Sequence, residues 1–172
     1  MHVNERIVRE TAVKGLQSAR RRAIRVDTAG WFAARQPGVI RFLEQRLQGD
    51  AFSVALHAAW VIAAAFEKND GVPPPRLIRS LIERGESAIR AEQASSRAMR
   101  SGQVAIHSMS RAANPWIEPG CAERQPALVS WIAETVASPP IPLDKQEQRD
   151  VARCLIALVY GFDQLTTGRA VP

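Results

Sequence analysis

The side chains best suited to metal or proton chemistry are few and far apart in this chain. The histidines are His2, His57 and His107, and the cysteines are Cys121 and Cys154. No glutamate stands three residues before any histidine, so the Glu-x-x-His pairs that hold iron in some helical proteins are missing. His107 and Cys121 offer two soft ligands without a clear third or fourth, which makes a poor zinc site. The sequence therefore predicts no metal centre and no cofactor.

Catalytic motifs are also missing from the sequence. The chain has no His-Glu-x-x-His, glycine-rich phosphate loop, Gly-x-Ser-x-Gly or Ser-x-x-Lys, and we predict no catalytic residue. His57 lies in the most apolar stretch, where a buried, neutral and hydrogen-bonded imidazole is the commoner outcome. A ligand-binding or catalytic pocket near His57 stays open as a third hypothesis.

The two cysteines are widely spaced and show no pattern of a disulfide framework. Cys154 is predicted to be a small buried apolar residue, and Cys121 either an incidental surface residue or a reactive thiol. Because no apolar leader follows Met1, we expect a cytoplasmic protein with free thiols.

Positive charge is concentrated at one end of the chain. Residues 1–48 contain ten Arg and Lys against four Asp and Glu, and residues 49–172 contain thirteen of each, so the net charge of +6 lies in the first quarter. The densest group is Arg20, Arg21, Arg22 and Arg25. These side chains either complement a helix dipole or contact phosphates, where counterion release would drive sequence-neutral binding to nucleic acid. Aromatic residues do not interleave with them as on a single-strand platform.

Trp116 is the candidate anchor for a protein partner. It lies between Pro115 and Ile117 in a segment rich in helix breakers. An exposed tryptophan in such a segment is typical of an interface hot spot. Packing of the segment onto the protein's own core is the other interpretation.

An all-α scaffold, organised around residues 51–66, is predicted to carry these side chains. This stretch has no Gly or Pro, and its ordinary polar side chains are Ser53 and His57. A helix that is apolar on nearly every side must be surrounded by protein or by lipid. A lipid span needs about 20 residues, so the stretch predicts the central helix of a soluble bundle and no membrane partner.

Apolar residues at three- and four-residue spacings predict a single helical domain over residues 1–172, with six to eight helices. Pro, Gly and capping residues mark their ends. The predicted helices cover about residues 5–26, 29–35, 37–48, 51–66, 76–102, 103–113, 127–137 and 144–165.

An internal echo divides the chain into two halves. Residues 33–43 (AARQPGVIRFL) match residues 122–132 (AERQPALVSWI) through a shared Ala-x-Arg-Gln-Pro, and a strongly apolar helix follows each. A weaker echo aligns residues 6–9 (RIVR) with residues 76–79 (RLIR). Chance similarity between amphipathic helices is the alternative. We predict a duplication, in which residues 1–71 and 76–172 form two related helical hairpins about a pseudo-twofold axis and residues 72–75 connect them.

The missing motifs, the helical pattern and the internal echo favour a non-enzymatic module that works through protein contacts. Such a module would be an adaptor, a regulator or an assembly subunit, with a protein partner or a second copy of itself. The first helix is the element expected to be least tied to the core. The alternative function is nucleic-acid binding by the basic segment of residues 20–25.

Overall fold

The described part of the chain is helical. The computed structural model describes residues 2–20, 30, 32–71, 74–87, 90 and 124–166, and no strand occurs within these ranges. The principal helices are α1 (Glu5–Arg20), α2 (Pro37–Glu44), α3 (Gly49–Asp70), α4 (Pro126–Ala137) and α5 (Lys145–Thr166). Residues 32–35 and 79–87 are also helical. The predicted all-α class is confirmed.

Local sequence sets where three of these helices begin. Pro37 and Pro126 occupy the first turns of α2 and α4, where a fixed φ suits the helix and no N–H is needed. Asp144 Oδ1 accepts hydrogen bonds from the backbone N–H groups of Gln146 at 2.7 Å and Glu147 at 2.8 Å. Glu147 Oε2 in turn accepts from the Asp144 N–H at 2.9 Å. These reciprocal bonds form a capping box at the start of α5.

The central helix α3 is longer than the sequence pattern predicts. Gly49 and Asp50 were expected to close the preceding helix, and this is wrong, because they form the first turn of α3. Asp50 there complements the helix dipole. At the other end Gly71 adopts a left-handed conformation with φ of 70°, and its N–H donates to the Glu67 carbonyl oxygen at 2.9 Å. The helix therefore ends at Asp70, four residues beyond the apolar run, and Gly71 is its C-cap.

The helix after the proline-rich connector begins later than predicted. Residues 74–78 are not helical, and the helix starts at residue 79 instead of residue 76. The reason is tertiary, since the Leu77 N–H is hydrogen-bonded to the side chain of Gln36. The later part of the predicted helix 76–102, the whole of the predicted helix 103–113 and residues 21–26 of the first helix lie outside the described residues.

The core is built on α3 and α5, which pack against each other. The rings of Phe66 on α3 and Phe162 on α5 have centroids 5.6 Å apart, and both side chains are buried. Burial of each such ring contributes about 1.5–3 kcal/mol. Around this pair, α1 packs on α3 and α4, α2 packs on α3, and α4 packs on α5.

By length and composition alone, α3 could cross a membrane. It has 22 residues and its most apolar window has a mean hydropathy of 1.5, while 56% of that window is buried within the protein. The core helix of a soluble protein passes the same test. The packing of α3 on α5 covers part of the apolar surface of α3 with another helix of the same chain.

Candidate functional site

Two buried glutamines, Gln36 and Gln125, organise the contacts between helices. They belong to the two copies of Ala-x-Arg-Gln-Pro and immediately precede α2 and α4. Their exposed fractions are 2% and 1%. A buried amide must be hydrogen-bonded at both ends or it destabilises the fold, so their partners show what these residues are for.

Gln36 holds the segment that leads into the helix of residues 79–87. Its Oε1 accepts a hydrogen bond from the Leu77 N–H at 2.9 Å. Its Nε2 donates to the carbonyl oxygens of Pro74 at 3.3 Å and Pro75 at 3.1 Å. The amide therefore completes the backbone bonding of a segment that has no helix of its own.

Gln125 holds the segment that leads into α1 in the same way. Its Oε1 accepts a hydrogen bond from the Val3 N–H at 2.9 Å, and its Nε2 donates to Asp163 Oδ1 at 2.7 Å. The adjacent His2 Nδ1 contacts the carbonyl oxygen of Arg124. Each glutamine thus fixes the start of a helix that is distant in the sequence.

The arginine before each glutamine pairs with an acidic residue on the following long helix. Arg35 lies 3.8 Å from Glu67 on α3, and Arg124 Nε donates to Asp163 Oδ2 on α5 at 3.0 Å. The Arg124 guanidinium also lies over the ring of Tyr160, 5.1 Å from its centroid. Asp163 is 3% exposed against 34% for Glu67. The second pair is therefore the more strongly desolvated one.

The contact at Gln36, which we call the closed junction (Gln36, Gly38 and Leu77), is tight. A Cβ built on Gly38 would lie 2.5 Å from the carbonyl oxygen of Leu77. Only glycine allows the two backbones to approach this closely. Gly38 therefore has a packing role that its neighbours in α2 do not share.

The contact at Gln125, which we call the open junction (Val3, Gln125 and Ala127), has a groove beside it. Ala127 stands at the sequence counterpart of Gly38. A groove of about 530 Å³ lies between the start of α1 and α4. We call it the α1–α4 groove, and it is lined by Val3, Asn4, Glu5, Val8, Arg9, Pro126, Ala127, Ser130, Trp131 and Glu134.

The α1–α4 groove combines apolar and charged walls. Val3 and Val8 are buried and Trp131 is half-buried, which gives the groove an apolar floor. At the rim, Arg9 Nε donates to Glu5 at 2.9 Å, and its guanidinium lies 3.8 Å from Glu134. The hydrogen bond to Glu5, and then the charge of Glu134, raise the pKa of Arg9 above its ordinary value. One cation is therefore shared between two carboxylates.

A second ion-pair network ties α1 to the end of α3. Glu10 accepts hydrogen bonds from Lys68 Nζ and from Arg6 Nε, the latter at 2.8 Å. The bond to Lys68, followed by that to Arg6, lowers the pKa of Glu10 to about 2. The Glu10 side chain is 40% exposed, so solvent screening keeps its contribution to stability small.

The His57 region is a packing contact between α1 and α3. A Cβ on Gly15 of α1 would lie 2.5 Å from the Trp60 ring and 3.0 Å from the His57 ring. The His57 and Trp60 rings have centroids 6.1 Å apart, and both side chains are half-buried. His57 is thus less buried than the sequence predicts. Gly15 has no side chain, and this allows α1 to approach the His57 and Trp60 rings closely.

Of the other residues singled out by the sequence, some belong to the described part of the chain and some do not. Cys154 is buried, as predicted, and burial raises the pKa of its thiol to about 12. Arg20 is the last residue of α1. Arg21, Arg22, Arg25 and Trp116 lie outside the described residues, so the basic cluster and the predicted partner anchor stay predictions.

Sequence analysis missed the α1–α4 groove. Its signals were available but weak: Ala127 in residues 122–132 where residues 33–43 have Gly38, and an acidic Glu134 near the end of a predicted helix. Within the described ranges, no group of three or more His, Cys, Asp and Glu side chains could hold a metal ion. Comparison of the chain with protein-family models, curated proteins and solved structures returned no match.

Proposed function

We propose that the chain is a duplicated helical bundle that works by binding another protein at the α1–α4 groove. The duplication is supported by the matched roles of Gln36 and Gln125, each of which accepts a backbone N–H from a segment leading into a helix. It is further supported by the matched pairs Arg35–Glu67 and Arg124–Asp163. Contacts that repeat in this way have no explanation in amphipathicity alone.

These contacts favour a different register between the two leading segments from the one that the sequence suggests. The sequence echo aligns Ile7 with Leu77, whereas the glutamine contacts make Val3 the counterpart of Leu77. In the new register the fully buried Val8 corresponds to the fully buried Ile82. The register based on contacts is preferable because it matches residues with the same burial and the same hydrogen-bond partner.

The binding proposal depends on one observation, the groove beside the open junction. A concave surface of a few hundred Å³ with an apolar floor and a few polar groups is typical of a binding site. Trp131 in its wall is of the residue type most enriched among interface hot spots. The charged rim of Glu5, Arg9 and Glu134 resembles the polar rim that surrounds the apolar centre of many interfaces.

Filling the groove tests this proposal. Ala127→Leu places a bulky side chain on the groove wall, and Ala137→Leu makes the same change at the exposed end of the same helix. Wild type, A127L and A137L would each be used to retain proteins from a lysate of the source organism, with bound proteins quantified by mass spectrometry. We expect a specific partner to be retained by wild type and A137L and lost from A127L.

Two controls keep the result interpretable. Circular dichroism must show the same helical content in the three proteins, and light scattering must give the mass of each. If the partner is a second copy of the chain, light scattering should show wild type and A137L as dimers and A127L as a monomer. Equal retention by A127L and A137L, with no change in mass, would contradict a binding role for the groove.

The second candidate function is nucleic-acid binding by Arg20, Arg21, Arg22 and Arg25. The observation that favours it is the location of the whole net charge of +6 in residues 1–48. On α1 itself, Arg6 and Arg9 are paired with glutamates, so the activity would depend on the segment that follows. We expect binding to DNA or RNA in low salt that weakens steeply as salt rises. Binding that survives replacement of all four arginines by Ala would overturn this candidate.

A further inference from the structure

We propose that the partner segment held by the α1–α4 groove is basic, and that one of its arginines lies against Trp131 with its guanidinium between Glu5 and Glu134. This inference rests on the proposed binding function of the groove and adds the chemistry of what binds.

The charge balance at the rim favours a cation. Glu5 and Glu134 supply two carboxylates, and Arg9 is the cation that both of them contact. The rim formed by these three residues is therefore negative by one charge, although the whole chain carries +6. A basic side chain entering the groove neutralises that excess, whereas an acidic one increases it.

Glu134 occupies a position that helix electrostatics disfavour. It lies in the last turn of α4, where the negative end of the dipole favours a basic residue, and that turn contains none. Its contact with Arg9 is long at 3.8 Å. A local rule broken without a clear gain in stability is characteristic of a functional position.

The resident ion pairs are weak enough to be exchanged. The side chains of Glu5, Arg9 and Glu134 are 67%, 62% and 58% exposed. Ion pairs between groups as exposed as these contribute little to stability. A partner's guanidinium can therefore take the place of Arg9 on one carboxylate at little cost.

The floor of the groove suits the rest of an arginine side chain. Trp131 in the lining is a half-buried aromatic residue of the kind on which a guanidinium stacks. Pro126 and Ala127, which are exposed and half-buried, offer apolar surface for the methylene stem and for a neighbouring aliphatic residue. The groove therefore matches an arginine next to an aliphatic residue better than a purely apolar or an acidic segment.

The inference is tested with short synthetic peptides and the full chain. The probe is acetyl-Gly-Ser-Leu-Arg-Leu-Arg-Ser-Gly-amide. One matched peptide carries citrulline in place of each arginine, which keeps the shape and removes the charge, and another carries glutamate. Binding is measured by calorimetry in low salt. We expect the arginine peptide to bind at least about tenfold more tightly than either of the others, a difference of about 1.4 kcal/mol.

Variants of the rim sharpen the test. Glu134→Gln and Glu5→Gln should each weaken binding of the arginine peptide by about three- to tenfold, as expected for loss of one interfacial charge. Glu44→Gln, at an exposed position on α2, is the matched control and should leave binding unchanged. Arg9→Ala should tighten it, because it removes the competing cation. A groove built for acidic segments would show the opposite response to R9A.

The outcomes separate this inference from the proposed function. Equal binding of the arginine, citrulline and glutamate peptides, or preference for glutamate, would overturn the basic-partner inference and leave the groove as a binding site. Failure of all three peptides to bind would also overturn it, while the comparison of A127L with A137L decides the proposed function independently. Tightening by E134Q would overturn it directly.

Discussion

The closed junction and the open junction share the same glutamine contact, but the helices pack closely at one and leave a groove at the other. At each, a buried amide oxygen accepts a backbone N–H at 2.9 Å from a segment entering a helix. At the closed junction Gly38 lets the two backbones touch, whereas at the open junction Ala127 lines a groove. A single methyl group at corresponding positions thus accompanies the difference between a packed contact and a surface with room for a ligand.

The comparison also shows how buried polar groups are supported. The buried polar or charged side chains of the described residues are Thr11, Gln36, Gln125 and Asp163. Gln36 bonds to backbone groups, while Gln125 bonds to both the backbone and the Asp163 carboxylate. Gln125 at the open junction therefore bonds to a buried charge, and its removal should destabilise the fold more than removal of Gln36.

The largest expected effect is the loss of the glutamine at the open junction. Gln125→Leu removes the acceptor of the Val3 N–H and a donor to the buried Asp163 carboxylate. We expect the free energy of unfolding to fall by about 3 kcal/mol, since each unsatisfied buried group costs about 1–3 kcal/mol. Gln36→Leu at the closed junction is the matched variant and should cost about 2 kcal/mol. Urea unfolding measures both, and a larger effect for Q36L would reverse the comparison.

The next effect concerns the close approach at Gly38. Gly38→Ala forces a methyl group to within 2.5 Å of the Leu77 carbonyl oxygen unless the backbone moves. Overpacking of this kind costs about 1–3 kcal/mol, and we expect about 2 kcal/mol in urea unfolding. Gly30→Ala is the control, because a Cβ there meets nothing within 4 Å. G30A should be neutral or slightly stabilising, and equal effects of the two changes would refute a special packing role for Gly38.

A smaller difference is expected between the two arginine–carboxylate pairs. Arg124→Ala removes a partner of the buried Asp163, whereas Arg35→Ala removes one from the more exposed Glu67. We expect losses of about 1.5 kcal/mol and about 0.5 kcal/mol, because exposed pairs contribute little and desolvated ones contribute more. Thermal and urea unfolding of both variants check this order. Similar losses would mean that the two pairs are equally screened by solvent.

The smallest effect is the pH dependence of the contact between α1 and α3. The pKa of Glu10 is lowered to about 2 in the folded protein from an ordinary value of 4.5. The carboxylate therefore stabilises the fold fully above pH 4.5, and this contribution is lost as the pH falls from 4.5 towards 2. Glu10→Gln should flatten the stability profile in that window, with a small difference from wild type that is largest above pH 4.5 and vanishes as the pH approaches 2. If E10Q leaves the profile unchanged, the ion pairs of Glu10 do not stabilise the packing of α1 on α3.

The sequence by itself determined the helices and many of the residues at which they begin and end. Three- and four-residue spacings of apolar residues predict helices wherever the structure describes them, and Pro37, Pro126 and Asp144 mark three of their starts. These signals are readable because helix periodicity and capping involve residues within a few positions of one another. The burial of the two apolar helices also follows, because surfaces of that kind must be covered.

Only the tertiary structure decided what the repeated residues do. Nothing local in the sequence says that Gln36 accepts the N–H of Leu77 or that Gln125 accepts that of Val3, because these residues are brought together by the packing of whole helices. The same holds for the groove, whose walls come from α1 and α4, more than a hundred residues apart in the chain. Hydrogen bonds and cavities between distant segments depend on how helices lie against one another, and apolar periodicity leaves that arrangement open.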